Sequence, residues 1–242
     1  MNSSTRISFF HLKIDGFNIC FPFSKHLPHA VDETGRNALH WASEFGHDDV
    51  INWLHAKMDV DEKTKSTGKT PMMLAAERGN DDCILSLVKW GAKLDARDDE
   101  GATAAMFAAK YGHDDTLNLL KLKGANLNVK DNHKKSLLHY AVQSGQTEVL
   151  RYLISSFKEI PIDAPDAHKQ TPLHYAAKNG FNSMVVVLLR AGADIRHRDV
   201  TMQTPLHLAA KLPEDKAAEI MEFNSPLSNG HVECLLTLIH GF

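Results

Sequence analysis

The sequence predicts an all-α solenoid of six helix-turn-helix repeats joined by hairpin-like loops, and three observations carry that prediction. The stretch Thr171-Pro172-Leu173-His174-Tyr175-Ala176-Ala177 recurs in altered form from Asn37, Thr70, Thr103, Ser136 and Thr204. Successive starts lie 33, 33, 33, 35 and 33 residues apart, and a fixed period of that size marks a repeat architecture. A glycine follows each copy, at Gly46, Gly79, Gly112, Gly145, Gly180 and Gly230, and a second apolar segment follows each glycine.

Each element of the repeat has a local reason. The first residue of every copy is Asn, Thr or Ser, whose side-chain oxygens cap orphan N–H groups at a helix start. In three copies Pro follows, at Pro71, Pro172 and Pro205, and suits the first helical position because its missing N–H costs nothing there. The glycine fits a helix end that needs a left-handed backbone. The second segment, such as Ser183 to Leu189, closes on Gly91-Ala92, Gly124-Ala125 and Gly192-Ala193 in three repeats. An extended link such as Asp194 to Asp199 then leads to the next cap. Helices this short are marginal alone, so stacking must bury them.

In chain order, residues 1–31 form a non-repeat segment and 32–242 the repeat domain. Phe9, Phe10, Phe17, Phe21 and Phe23 are many aromatics for a disordered tail. Two readings stand for them: a cover for the exposed apolar face of repeat one, or a poorly ordered segment. Repeat one (about 32–64) places Trp41 and Trp53 as core residues. Repeat two (65–97) has Met73 where His stands elsewhere, and repeat three (98–130) has Ala104 and Met106 at the Pro and His positions, which alters the local hydrogen bonding. Repeat four (131–165) carries two extra residues near Phe157–Pro161, in a loop where length is cheap. Repeat five (166–198) is the most regular. Repeat six (199–242) holds an insert over 212–229, read either as a solvated loop or as an acidic-apolar docking element. The last apolar helix, Val232 to Ile239, has no polar capping repeat after it, so either the insert folds over that end or the chain is a piece of something longer.

This pattern resembles the ankyrin repeat, whose period and T-P-L-H-x-A signature it matches from about Asp32 onward. The resemblance implies a protein-binding module without catalysis or cofactor. Its partner protein would meet a concave face made by the first helices and the hairpin tips. Carried over position by position, the partner-binding residues are Phe45, Arg78, Lys110, Tyr111, Ser144, Lys178 and Asn179. Tip residues Arg36, Lys69, Glu100, His133, Lys135, His168 and Gln203 join them. Arg78 and Tyr111 lead, because Arg and Tyr are common hot spots. The resemblance further implies asparagine hydroxylation at Asn128, six residues after Leu122. It also assigns His40, His139, His174 and His207 to a structural role, holding the turn by hydrogen bonds.

Composition limits the alternatives. The net charge of −3 gives no general attraction to nucleic acid or membrane, although residues 32–98 carry −4 and residues 132–211 carry +4. That asymmetry is either surface variation or a match to a partner of complementary charge. Three cysteines make no disulfide framework, and Cys83 and Cys234 read as small buried hydrophobes. With no secretory segment, an intracellular, cytoplasmic or nuclear setting and a monomeric domain are expected. Ser66-Thr67-Gly68-Lys69-Thr70 ends like a phosphate loop, but Lys63 stands where its first glycine is needed. Histidines a repeat apart cannot share a coordination sphere of about 2 Å, so no metal site is read. Two other readings remain: a regulatory or targeting segment of a larger protein such as a channel, kinase or adaptor, and an enzyme with chemistry in residues 1–31 or the insert.

Overall fold

A computed structural model of the chain describes residues 31–212, and the backbone of 10–14 and 17–21. The repeat-six insert beyond Leu212, Gly230, Cys234 and the last apolar helix lie outside the described residues. Among the described residues, eleven helices follow a two-stranded hairpin. They are α1 (Ala38–Phe45), α2 (Asp48–Leu54), α3 (Pro71–Arg78), α4 (Asp81–Lys89), α5 (Ala104–Tyr111) and α6 (Asp114–Leu122). Then come α7 (Leu137–Gln143), α8 (Thr147–Ser156), α9 (Pro172–Asn179), α10 (Asn182–Arg190) and α11 (Pro205–Ala209). The repeating helix pairs bear out the all-α repeat fold.

The chain divides into two compact units. One holds residues up to Ala108 with Asp115–Asn126, and the other holds Ala109–Asp114 with residues from Leu127 onward. In the first unit α1 packs on α2 and α3, and α4 packs on α2 and α3. In the second α7 packs on α8 and α9, α10 on α8 and α9, and α11 on α9. Leu39, Ile51, Met72, Leu74, Ile84 and Leu87 are buried in the first core, and Leu138, Leu150, Leu173, Met184 and Leu188 in the second. Each is worth about 1.5–3 kcal/mol of apolar burial.

The helix ends follow their sequence signals. Gly46, Gly79 and Gly180 close α1, α3 and α9 at φ of 79°, 72° and 72°, and each donates its N–H back into the helix. Cys83 is buried and free, and burial pushes its thiol up to about 12, so it behaves as an apolar side chain.

One expectation needs correction. Trp53 is not a core residue: it is 66% exposed, with Lys57 Nζ lying 4.0 Å over the ring. The reason is its place in the repeat. Ser86, 33 residues on, is 8% exposed because it reaches back to Asn52 of the pair before it, and among the described residues no helix pair precedes Trp53. Trp41 is half-buried, stacked on Phe45 at 5.8 Å. The aromatic N-terminal stretch also contains regular structure: β1 (Phe10–Ile14) pairs antiparallel with β2 (Phe17–Phe21), from Ile14 opposite Phe17 out to Phe10 opposite Phe21.

Candidate functional site

The surface on offer is built by the caps and the loop tips. At Ser136 and Thr171 the cap residue's N–H donates to Nδ1 of the histidine three residues on, at 3.0 and 3.1 Å. The cap hydroxyl lies 2.8–2.9 Å from the same Nδ1. The other ring nitrogen of His139 meets the Gln170 carbonyl at 3.0 Å, and that of His174 the Gln203 carbonyl at 3.2 Å. An amide only donates and a carbonyl only accepts, so both rings are neutral with the proton on Nε2. Each imidazole thus ties its own helix start to the next repeat's loop. Burial pushes His139 down to about 4 and lowers His174.

This refines the expected cap. Asn37 accepts the backbone N–H of His40 at 3.1 Å. Ser136, Thr171 and Thr204 form capping boxes with the histidine three residues on, and their hydroxyls also meet its imidazole. Where methionine replaces histidine the hydroxyl loses that partner. Thr70 donates its N–H to Met73 Sδ at 3.5 Å and its hydroxyl faces the same turn, yet the Thr70 and Thr103 hydroxyls are buried without a hydrogen bond.

The loop tips are locked in the same way. Asp166 Oδ1 accepts the N–H groups of His168 and Gln170, and Asp199 Oδ1 those of Thr201 and Gln203, all within 2.8–2.9 Å. Burial opposes the charge on Asp199, but the bonds from Thr201, Gln203 and Gln170 outweigh it and hold the carboxyl at about 2. Tips also bond to one another: the Thr34 carbonyl accepts from Lys65, Thr67 from Asp99, His133 from Ala167 and His168 from Val200. A partner would meet a preset edge of loops, with little order left to lose.

One feature of the tips is not announced by the residues that carry it. Gly35, Gly68 and Gly101 sit at positive φ in the first unit, and Lys134, Lys169 and Met202 take the same place in the second at φ of 60°, 58° and 63°. A Cβ at Gly35 or Gly68 would come within 2.5–2.8 Å of the next loop's backbone, so glycine is required there. At the other three the side chains fit and are exposed. Lysine and methionine do not by themselves mark a left-handed backbone. The glycines in the same register were the signal that could have found them.

Among the sequence-derived site residues, Phe45 is 53% exposed at the end of α1. Arg78 is 58% exposed in its side chain and ion-paired to Glu44 at 2.8 Å, while Glu44 also holds Arg36 at 2.6 Å. Arg78 belongs to the first unit, and Lys110 and Tyr111 to the second. Lys110 is half-buried with its ammonium 5.5 Å over the exposed Tyr111 ring. Ser144 and Asn179 are half-buried, and Lys178 is exposed. Lys178 also lines a groove of about 430 Å³ with Gln170, Asp199, Gln203, Leu208 and Lys211. Asn128 is exposed.

The stretch like a phosphate loop is a hairpin tip. Lys69 Nζ pairs with Glu77 at 2.7 Å and lies 4.4 Å over the Phe107 ring. Among the described residues no three His, Cys, Asp or Glu side chains are grouped to hold a metal. No helix among them is long and apolar enough to cross a membrane.

Helix pairs on a 33–35-residue period, welded by cap histidines and hydrogen-bonded loop tips, define a helical repeat protein that offers a surface. Family models for ankyrin repeats match residues 16–98 and 91–166 in a three-copy form and 157–209 in a many-copy form. The chain belongs to the ankyrin repeat family, whose members are generally protein-interaction modules. No curated protein matches the chain.

Proposed function

We propose that this chain is a non-catalytic module that binds a partner protein through the exposed ends of its first helices and its hairpin tips, the side that stacked pairs make concave. The carrying observation is the left-handed backbone at Lys134, Lys169 and Met202. A residue with a Cβ costs about 1–2 kcal/mol in that conformation, which glycine avoids. Side chains held outward at that cost are well suited to contact. The second unit therefore takes an acidic segment, with Lys134, Lys169 and Lys178 supplying charge and Tyr111 a rigid aromatic anchor. Lys110 beside that anchor, and Ser144 and Asn179 in the same register of the next two repeats, extend the surface. In the first unit Phe45 and Arg78 contribute, with Arg78 presented by Glu44. Asn128, exposed before the fourth repeat, is the candidate modification site.

The test pairs capture with variants. Full-length protein retains a partner from cell extract, identified by mass spectrometry, and the purified pair is titrated. The double variant Lys134→Gly with Lys169→Gly should weaken binding at least tenfold while the unfolding midpoint stays level or rises. Affinity that survives this change and also Tyr111→Ala would remove the surface from the reading.

A further inference from the structure

The side of the repeats made by tips and first helices changes its charge pattern along the chain. In three repeats a tip residue meets a residue eight positions later, at the end of the first helix. Arg36 pairs with Glu44 at 2.6 Å and Lys69 with Glu77 at 2.7 Å, so repeats one and two each match a cation with an acid. In repeat six Lys211 Nζ donates to Gln203 Oε1 at 3.0 Å, with the cation moved to the helix end and the acid replaced by an amide. The same register reads Ala102 and Lys110, Lys135 and Gln143, and Gln170 and Lys178 in repeats three to five. Repeats three to six thus carry one cation each at these places and no acid.

Two of these cations share a groove. Lys178 and Lys211 are exposed, and with Gln170, Gln203, Val200 and Leu208 they line about 430 Å³ of space in the second unit. Among the described residues neither lysine is ion-paired. Asp199 also lines the groove, but it is buried and its oxygens accept from Thr201, from Gln203 and, at 3.2 Å, from Gln170 Nε2. Two ammonium groups therefore stand against one carboxylate that is already committed to its own loops.

Spacing decides what kind of chain fits. The helices that carry the two lysines, α9 and α11, pack on one another, and packed helices lie about 8–10 Å apart. A ligand that meets both lysines must repeat its negative charge at about that distance. Side chains on one face of a β-strand recur at about 6.6 and 13 Å, which misses it on both sides. An α-helix about 10–12 Å across fills roughly 800 Å³ or more over that length, about twice the groove. A polyproline II segment turns once in three residues and rises about 3.1 Å per residue, so every third side chain returns to the same face about 9.3 Å on.

We infer that this groove binds an extended, polyproline II-type segment of a partner protein with two acidic side chains three positions apart, one on Lys178 and the next on Lys211. The residues between the two acids lie against Val200 and Leu208. This rests on the reading of the second unit as a surface for an acidic segment, and it gives that segment a conformation and a spacing. A preformed polyproline II chain also has little conformational freedom left to lose on binding.

Fluorescence anisotropy of the full chain with labelled peptides tests it. A peptide of Glu-Pro-Pro units should bind at least tenfold tighter than peptides of Gln-Pro-Pro units, of Glu-Pro-Pro-Pro units, or a helical peptide with glutamates seven positions apart. Lys178→Gln with Lys211→Gln should remove that preference. Lys158→Gln with Arg190→Gln, which takes the same charge from exposed positions outside the groove, should leave it. Equal affinity for the two proline spacings, or equal loss in both double variants, would mean unspecific attraction and overturn the inference. Tighter binding of the helical peptide or of a single-stranded oligonucleotide would overturn it as well. So would peptide binding that appears only after Glu214→Gln with Asp215→Asn, since the chain's own acidic residues would then hold the groove. If a captured partner still needs Lys134 and Lys169 while no peptide spacing is preferred, the acidic-segment surface stands and only the groove's role falls.

Discussion

Acidification should unlock the cap of the fourth repeat, and the size of the effect follows from the His139 site. The ring is fully buried, its Nδ1 accepts the Ser136 N–H, and its Nε2 donates to the Gln170 carbonyl. A second proton would have to sit on Nδ1, against the amide that already donates to it. Burial lowers the pKa first; the Gln170 carbonyl and Asp166 pull it up, and Lys130 and Lys135 push it down, leaving about 4 against an ordinary 6.5. The folded-state pKa lies below the unfolded one, so the unfolded chain binds more protons between the two values. The contribution is complete above pH 6.5, declines as pH falls from 6.5 towards 4, and is gone below that. A difference near 2.5 units at 1.36 kcal/mol each gives about 3 kcal/mol. Urea unfolding followed by circular dichroism between pH 7.5 and 4 measures it. His139→Gln should lower stability at pH 7.5, with a pH slope flatter than the parent's, so that the two curves converge near pH 4. Equal slopes, or an NMR titration of His139 at or above 6.5, would refute the reasoning.

Three other outcomes follow from the same geometry. Thr171→Val removes a hydroxyl bonded to His174 and should cost about 1–2 kcal/mol, whereas Thr103→Val removes a buried hydroxyl with no partner and should change stability by less than about 0.5 kcal/mol or raise it; denaturant midpoints for the pair decide, and equal losses would sink the distinction. Gly180→Val places a β-branched residue at φ 72° and should cost about 2 kcal/mol or more, read as a drop in melting temperature. Asp199, held at about 2 against an ordinary 3.8, adds a stability increment that is whole above pH 3.8 and lost between there and pH 2, which Asp199→Asn should abolish in an acid titration.

Much of the fold is legible because every repeat carries its own start, stop and period, and each signal has a local cause. Asn37, Thr171 and Gly180 announce helix ends wherever they stand, and six registered copies reinforce one another. The hairpin is written as plainly, in Asp15-Gly16 between two apolar-polar alternations, the sequence favoured for a two-residue hairpin loop. It falls outside the 33-residue period, so repetition gives no help in finding it. Trp53 is misread for the complementary reason. The period says its position faces a neighbouring repeat, and only the order of the chain says that the first repeat has none. At the site, spacing suffices to place Phe45, Arg78 and Lys178 at the ends of first helices. It does not show that Arg78 is held by Glu44, because that contact joins residues 34 apart on different helices. Nor does a lysine at 134 or 169 declare a left-handed backbone, since nothing in its own chemistry favours one.

The exchange of histidine for methionine separates the two units in how acid should act on them. The second unit contains His139 and His174, each neutral and each bound to the next loop's carbonyl. The first unit has Met73 and Met106 at two of its three equivalent positions, and a thioether does not titrate. Its remaining ring, His40, has the Asn37 carboxamide oxygen 2.7 Å from Nδ1 and the Lys69 carbonyl 3.1 Å from Nε2. Burial lowers its pKa, but the Lys69 carbonyl and Glu62 oppose that shift by favouring charge. Protonation therefore breaks two welds in the second unit and strains at most one in the first. Hydrogen exchange followed by mass spectrometry, corrected for the intrinsic pH dependence of exchange, should show α7–α10 losing protection between pH 7 and 5 while α1–α4 hold theirs. Met73→His with Met106→His should give the Thr70 and Thr103 hydroxyls partners and raise the first unit's stability at pH 7. The same pair should bring that unit the acid sensitivity it lacks. Uniform loss of protection across all helices in the parent protein would mean that the cap histidines do not set the acid response, and that net charge does.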